Sequence, residues 1–324
     1  MKIYVAGHES MVGAAIVRLL QAQGQDEVLT CPEQALDLTR QAAVEAFFAD
    51  HRPDQVYLAA GKTGGVHEGN SYPADFIYQN MMIEANIIQA AHAHDVQQLV
   101  FVASNDVYPP AAAQPALEGA ILSGVLEAAR EPDAVAKIAG IKLCESFSRQ
   151  HGRDYRSVVP TSVFGLGDNY HPDNHHVVPA FIRGFHEAKL LNAPSVSVWG
   201  TGTPMREYIF ADDVADACIY LMNLDKATFE AHTQPMLSHV NVGTGFEISI
   251  GDLAQAVAEM VGYEGEVLCD PTRPDGVPRK VVDCTRLYAL GWQAQVGLGV
   301  GLRLAFEDYL NNHFHKDTPP PLAQ

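Results

Sequence analysis

Asp133 and Lys137 stand four residues apart in "EPDAVAKIAGIKLCESFSRQHG", a run with helical patterning. On a helix that spacing places an acid and an amine on one face, where they serve either acid–base chemistry or an ordinary solvated ion pair. Asp133 also follows Pro132 in the first helical turn, where the helix dipole favours a negative charge whatever its function. Ser104 ends the apolar run "QQLVFVAS", so a hydroxyl sits where a strand gives way to a loop. That place suits chemistry, although serines at strand ends are common. Between the first apolar run and the first helix, "GHESMVG" holds Gly7, Ser10 and Gly13, with Met11 and Val12 heading the helix. Glycines here permit a tight turn and let a pyrophosphate approach the helix N-terminus. The plainer alternative is a packing turn.

His171, His175 and His176 lie in the polar stretch "GLGDNYHPDNHH". Their spacing presents no single helix face, and no acid or cysteine set completes a ligand shell, so no metal is expected. A histidine that contacts substrate or moves a proton fits better, since imidazole titrates near neutrality. Arg183, Arg206, Arg279 and Lys280 stand out in an acidic chain and suit convergence on a diphosphate, with surface placement as the alternative for each.

These residues need elements to hold them. "KIYVAG" (2–7), "DEVLTC", "DQVYLAA" (54–60) and "QQLVFVAS" (97–104) read as strands, and "YRSVVPTSVFG" as one more. Helical patterns alternate with them at 11–24, in "QAAVEAFFADH", over roughly 73–95 and after Pro132. Such alternation implies a doubly wound parallel α/β sheet, with ligands at the carboxyl ends of its strands. After residue 165 the pattern loosens. A helix is expected over 178–189, then a loop "GTGTPMREYIF", an N-capped helix "ADDVADACIYLMN", a helix in "SIGDLAQAVAEMVG", a loop "DPTRPDGVPRKVVDC" and a last helix near 296–311. The tail "KDTPPPLAQ" is expected to be disordered. The dinucleotide-binding part is placed at 1–165 with a return segment about 205–245, and a smaller interleaved substrate lobe at 166–204 and 246–324.

The chain has 324 residues, 47% of them apolar, enough for a large core. Its formal net charge of −18 argues against nucleic acid or an anionic membrane as partner. Five scattered cysteines without CxxC spacing suit free thiols in a reducing compartment. With no signal-peptide pattern at "MKIYVAGHES" and no long apolar run, a soluble cytoplasmic protein is expected.

Several segments, in order, resemble the GDP-L-fucose synthase family: "AGHESMVGAAI", "SYPADFIYQNMMIEANII", "AKIAGIKLCESFSRQHGRDYRSV", "DNYHPDNHHVVPA", "WGTGTPMREYI", "QPMLSHVNVGTG" and "PDGVPRKVVD". The resemblance runs from residue 2 to about 311. It implies an extended short-chain dehydrogenase/reductase with a Rossmann core that epimerises and then reduces a GDP-4-keto-6-deoxy-mannose. In that family a Ser-Tyr-Lys set performs the reduction, a cysteine and a histidine perform the epimerisations, and NADPH supplies hydride. Ser104, Lys137 and His176 match those roles, and Arg206 and Lys280 match positions used around the substrate nucleotide.

The departures fall on the chemistry. Asp133 stands at the tyrosine's position and Asp106 at the cysteine's. Gly184 replaces the second arginine of a pair, and Ser10 the middle glycine of the turn. Glu9 and Glu33 stand where the family tends to place arginines for the 2′-phosphate of NADP, which favours NAD over NADP. Lys137, one turn away, is expected to hold Asp133 ionised and therefore unable to donate a proton. Three readings follow: the ordinary family reaction, a variant enzyme using Asp106 or Asp133 with His176 to epimerise without net reduction, or a non-catalytic homologue that binds a nucleotide or nucleotide sugar, GDP-linked by the resemblance, as a partner subunit. The helices at 73–95 and 133–151 carry apolar or small residues on more than one face, which suits burial on both sides, and the resemblance, whose members pair through such helices, implies a two-fold homodimer.

Overall fold

The computed structural model describes residues 1–171 and 176–314, so His175 and the tail from 316 lie outside the described residues. In chain order the first half forms β1 (Ile3–Ala6), α1 (Met11–Ala22), β2 (Val28–Leu29), α2 (Gln41–His51), β3 (Gln55–Leu58), α3 (Val66–Ser71), α4 (Pro73–Ala93), β4 (Gln98–Val102), α5 (Glu131–His151) and β5 (Asp154–Pro160). The second half forms β6 (Ser162–Phe164), α6 (Val177–Leu190), β7 (Ser195–Trp199), β8 (Met205–Phe210), α7 (Ala211–Asn223), α8 (Lys226–Ala231), β9 (Val240–Val242), β10 (Glu247–Ser249), α9 (Ile250–Val261), β11 (Glu266–Asp270), β12 (Arg279–Lys280), α10 (Thr285–Ala289) and α11 (Leu298–Asp308).

Six parallel strands make the main sheet, in the order β2-β1-β3-β4-β5-β9. Alternate side chains feed two cores. Tyr4, Val56, Leu58, Leu99 and Phe101 pack with Phe48 of α2, Ile87 of α4 and Ile141 of α5. Ile3, Val5, Tyr57, Val100 and Val102 pack with Ile16 of α1 and Val214 of α7. Burial on both faces explains why these strands read as continuous apolar runs. The chain leaves β1 toward β2 on one side and later toward β3 on the other. Their carboxyl ends therefore flank a crevice, the switch point of a doubly wound sheet.

A second sheet joins β10, β8 and β12, with β6 also paired to β8, while β7 and β11 form a separate two-stranded ribbon. Phe164, Ile182, Phe185, Leu253, Val257 and Leu302 fill a third core beneath them. The sequence reading needs correction at three places here. "YRSVVPTSVFG" is two strands, because Pro160 has no N–H to continue the ladder; β5 stays in the main sheet and β6 crosses to the second. "PMREYIF", expected as a loop, is β8, whose alternation is masked by a buried Glu207. That carboxylate accepts from the N–H groups of Thr244 at 2.7 Å, Gly245 at 2.8 Å and Val282 at 3.1 Å, so it ties two loops to one strand. Finally, α7 has Phe210 at its N-cap and no side-chain cap. Asp213 in its first turn instead accepts from the N–H groups of Gln295 and Val296.

The turn after β1 tolerates little. Gly7 has φ +84°, and a Cβ on Gly13 would lie 2.0 Å from the Gly7 carbonyl oxygen. Gly13→Ala is expected to lower stability by about 2–4 kcal/mol, since backbone must move to admit the methyl. Gly184→Ala on α6, where an added Cβ meets nothing within 4 Å, should be neutral or stabilising by up to about 1 kcal/mol. Urea denaturation of both variants checks the contrast; equal effects would contradict it.

Candidate functional site

Ser10 caps α1 from inside the turn. Its hydroxyl oxygen accepts from the Gly13 N–H at 3.1 Å and lies 2.7 Å from the Gly7 carbonyl, to which it donates. The side chain thus folds into the turn and leaves the outer face of the backbone clear. The N–H groups of Met11 and Val12 head the helix there, and no partner takes them among the described residues. Such a cradle fits a pyrophosphate. In the loops that follow β1 and β2, Glu9 and Glu33 are both exposed and adjacent, the Glu33 N–H reaching the Glu9 carboxylate at 3.4 Å. The pair repels anions there.

The carboxyl end of β4 carries a second cluster. Ser104 donates to Asp106 at 3.0 Å, and its oxygen accepts from the Asp106 N–H at 3.2 Å. Asp106 also forms an ion pair with Lys280, which lies 3.8 Å from Glu127. Burial raises the proton affinity of Asp106, but Lys280 and then Arg130 outweigh it, and Ser104 adds a hydrogen bond; together they hold the carboxyl at about 2. Lys280 reaches this place from β12, where it is registered against Arg206 of β8. Arg206 is half-buried and loses proton affinity to desolvation, which Tyr208, Glu127 and Asp275 only partly offset. Two cations expected at a phosphate are therefore neighbours, each already facing acids of this chain.

The expectation for Asp133 and Lys137 fails. They share one face of α5, but the pair is neither solvated nor closed. Lys137 is buried and its ammonium lies 3.0 Å from Glu84 of α4, itself only 1% exposed. Gly140, one turn on, makes room: a Cβ there would lie 2.7 Å from the Glu84 carboxylate and from the Phe101 ring. Burial works against the charge of Lys137, yet Glu84 and then Asp133 outweigh it, so the ammonium holds its proton more tightly. Asp133 is left with an amide partner, Asn80, whose nitrogen donates at 2.6 Å. Burial pushes its carboxyl upward and Asp106 adds to that, against weaker help from Lys137, Asn80 and Arg130. The net direction is toward the neutral acid, the reverse of the sequence expectation.

Other candidates fall elsewhere. Arg183 is taken by Glu187 of its own helix at 2.7 Å and donates to the Tyr170 carbonyl at 3.1 Å. His176 occupies the exposed N-cap of α6, beside the undescribed 172–175. His171 is exposed two residues after Asn169, whose side chain accepts its backbone N–H. Among the described residues no three His, Cys, Asp or Glu side chains gather as metal ligands. Sequence reasoning missed Asn80 and Glu84, which share one face of α4 in "NMMIEANII". The available signal was polar residues at i and i+4 inside an otherwise apolar run. It also missed Arg130, whose guanidinium donates to the Gly64 carbonyl at 2.7 Å and joins the loop after β3 to the head of α5.

The family model for the NAD dependent epimerase/dehydratase family matches residues 3–243. GDP-L-fucose synthase of Escherichia coli (strain K12) is 53% identical over 96% of this chain and 97% of that protein. GDP-L-fucose synthase 1 of Arabidopsis thaliana is 48% identical over 96% of this chain and 94% of that protein. Among solved structures, a GDP-D-glycero-L-gluco-heptose synthase from Campylobacter jejuni in the presence of NADPH superposes with a TM-score of 0.90. It is 34% identical and covers 95% of this chain and 98% of its own.

Asp106 carries a stability signature whose sign is fixed by its depressed carboxyl. Its contribution is present above the unfolded carboxylate range near 4 and is lost as pH falls through about 2. Asp106→Asn is expected to cost roughly 2 kcal/mol at neutral pH, with the gap to wild type closing between about pH 4 and pH 2. Denaturation midpoints across that range read it out; a gap that stays constant would refute the ion-pair origin.

Proposed function

The chain belongs to the GDP-L-fucose synthase family, within the NAD dependent epimerase/dehydratase family, and on that footing we propose that it binds a GDP-linked nucleotide sugar and NAD(P) but performs the family's reduction only weakly at neutral pH. One observation supports this reading: Glu84 holds the Lys137 ammonium at 3.0 Å, which leaves Asp133, at the position the resemblance gives to the proton donor, with the amide of Asn80. A bound nicotinamide would supply hydride; the chain must then supply the proton that completes an alcohol. An ionised Asp133 cannot give one. A neutral Asp133 can, and burial raises the fraction that is neutral, so residual activity grows as pH falls toward its elevated value. General acids contribute about 10²–10⁴-fold, which bounds the loss when the donor is in the wrong state. Asp106 is no substitute, because Lys280 and Arg130 hold it ionised at neutral pH. That weakens the reading in which it replaces the epimerising cysteine.

In this reading Met11 and Val12 receive the pyrophosphate of the dinucleotide, and Arg206 and Lys280 the diphosphate of the sugar nucleotide. Glu9 and Glu33 oppose a 2′-phosphate, so NAD(H) is favoured over NADP(H). Titration calorimetry with both cofactors tests the choice, and tight NADPH binding with weak NADH binding would refute it. The apolar side chains that α4 leaves exposed, Tyr78 and Met81 among them, fit a two-fold homodimer. A monomeric mass in light scattering at micromolar concentration would contradict that.

Asp133→Tyr is the direct test of the main reading. It is made alone and together with Glu9→Arg and Glu33→Arg, and reduction of GDP-4-keto-6-deoxy-mannose is followed by loss of NADH or NADPH absorbance. Wild type should be nearly silent at neutral pH and the triple variant measurably active. A fully active wild type at neutral pH would show that Asp133 is not limiting.

A further inference from the structure

The hydrogen-bond polarity of the β4–α5 mouth is reversed from what a carbonyl substrate needs. Ser104 spends its proton on Asp106 at 3.0 Å and keeps an oxygen lone pair. Asp133 receives the Asn80 amide on Oδ1, and its Oδ2 has no donor among the described residues. The nearby cations are engaged: Lys137 with Glu84, Lys280 with Asp106, and Arg130 with the Gly64 carbonyl. With Asp133 ionised, a carbonyl oxygen entering here meets acceptors. A group rich in N–H meets partners.

A second observation lies next to it, in a small cavity that Ser104 and Asp133 do not line but that shares Asp106 with Ser104. Asn105, 7% exposed, lines a cavity with Asp106, Tyr108, Glu127 and Lys280, and its side-chain nitrogen has no hydrogen-bond partner. A buried amide without a partner costs on the order of 1–3 kcal/mol, so an acceptor on a ligand would be repaid there. A hydroxyl oxygen on a sugar ring is such an acceptor.

We propose that the nucleotide sugar recognised by this site carries a primary amine on its ring, whose ammonium is received by Asp133 and Ser104 while a neighbouring hydroxyl oxygen takes the Asn105 amide. This rests on the GDP-sugar reading above and narrows its substrate class. No bond is made or broken in it. The ammonium supplies the positive charge that Asp133 lacks, and a charge-assisted contact in a desolvated mouth is far stronger than the hydroxyl contact it replaces.

The test compares three ligands by calorimetry at pH 7: GDP, GDP-6-deoxy-α-D-mannose, and its 4-amino-4-deoxy counterpart. Wild type is expected to bind the amine at least about tenfold more tightly than the alcohol, an effect equivalent to about 1.4 kcal/mol. Asp133→Asn, shown to be folded by its melting curve, should bring the two sugars within about threefold of each other. GDP binding with equal or weaker affinity for the amine would overturn the proposal and leave the GDP-sugar reading standing. Retention of the full amine preference in Asp133→Asn would overturn the assignment to Asp133. Failure of all three ligands to bind would overturn both readings.

Discussion

A buried ammonium can serve one carboxylate at close range, and in this protein Glu84 has it. Lys137 comes from α5 and Glu84 from α4, two helices that pack on the same face of the main sheet, so their contact follows from the fold and not from neighbourhood in sequence. Both ends of the pair are desolvated, which makes each indispensable to the other. Gly140 and Phe101 shape the space, and the ring of Phe101 lies 5.1 Å from the Lys137 nitrogen. Everything that Asp133 does depends on this prior claim.

The same logic of prior claims runs through the neighbouring cluster. Asp106 draws Lys280 inward and takes the Ser104 proton, so a single carboxylate sets the state of two groups of the site. Burial alone would favour the neutral acid at both Asp106 and Asp133. The outcomes diverge because one has a close cation and the other an amide. Two aspartates in one mouth therefore shift in opposite directions: burial prevails at Asp133, and Lys280 prevails over burial at Asp106.

The scaffold beneath is indifferent to these changes. Ser10 fits the glycine turn because its hydroxyl folds inward to cap α1. Gly184 leaves open space on α6 without disturbing the core. Glu207 fastens the loops at 243–245 and 281–282 to β8, and so holds Lys280 within reach of the β4 end. The architecture of the family can thus accommodate Ser10 and Gly184 without strain in the fold.

The sequence by itself determined the main sheet, because strands buried on both faces must be apolar throughout and the helices between them must repeat every turn. It also located the glycine turn, Ser104 and the Asp133–Lys137 face, since each lies within a local pattern, whereas Glu9 and Glu33 drew notice only through the family resemblance. The breaks were hidden where local pattern misleads: at Pro160, where one apolar run serves two sheets, and in β8, where a buried Glu207 imitates a loop. What tertiary structure alone decided was pairing. Glu84 stands 53 residues from Lys137, and Lys280 stands 174 from Asp106. Helical spacing predicted an Asp133–Lys137 pair because it counts only neighbours. In the folded chain the strongest partner of a buried charge is whichever opposite charge the packing delivers first, and sequence spacing does not record it.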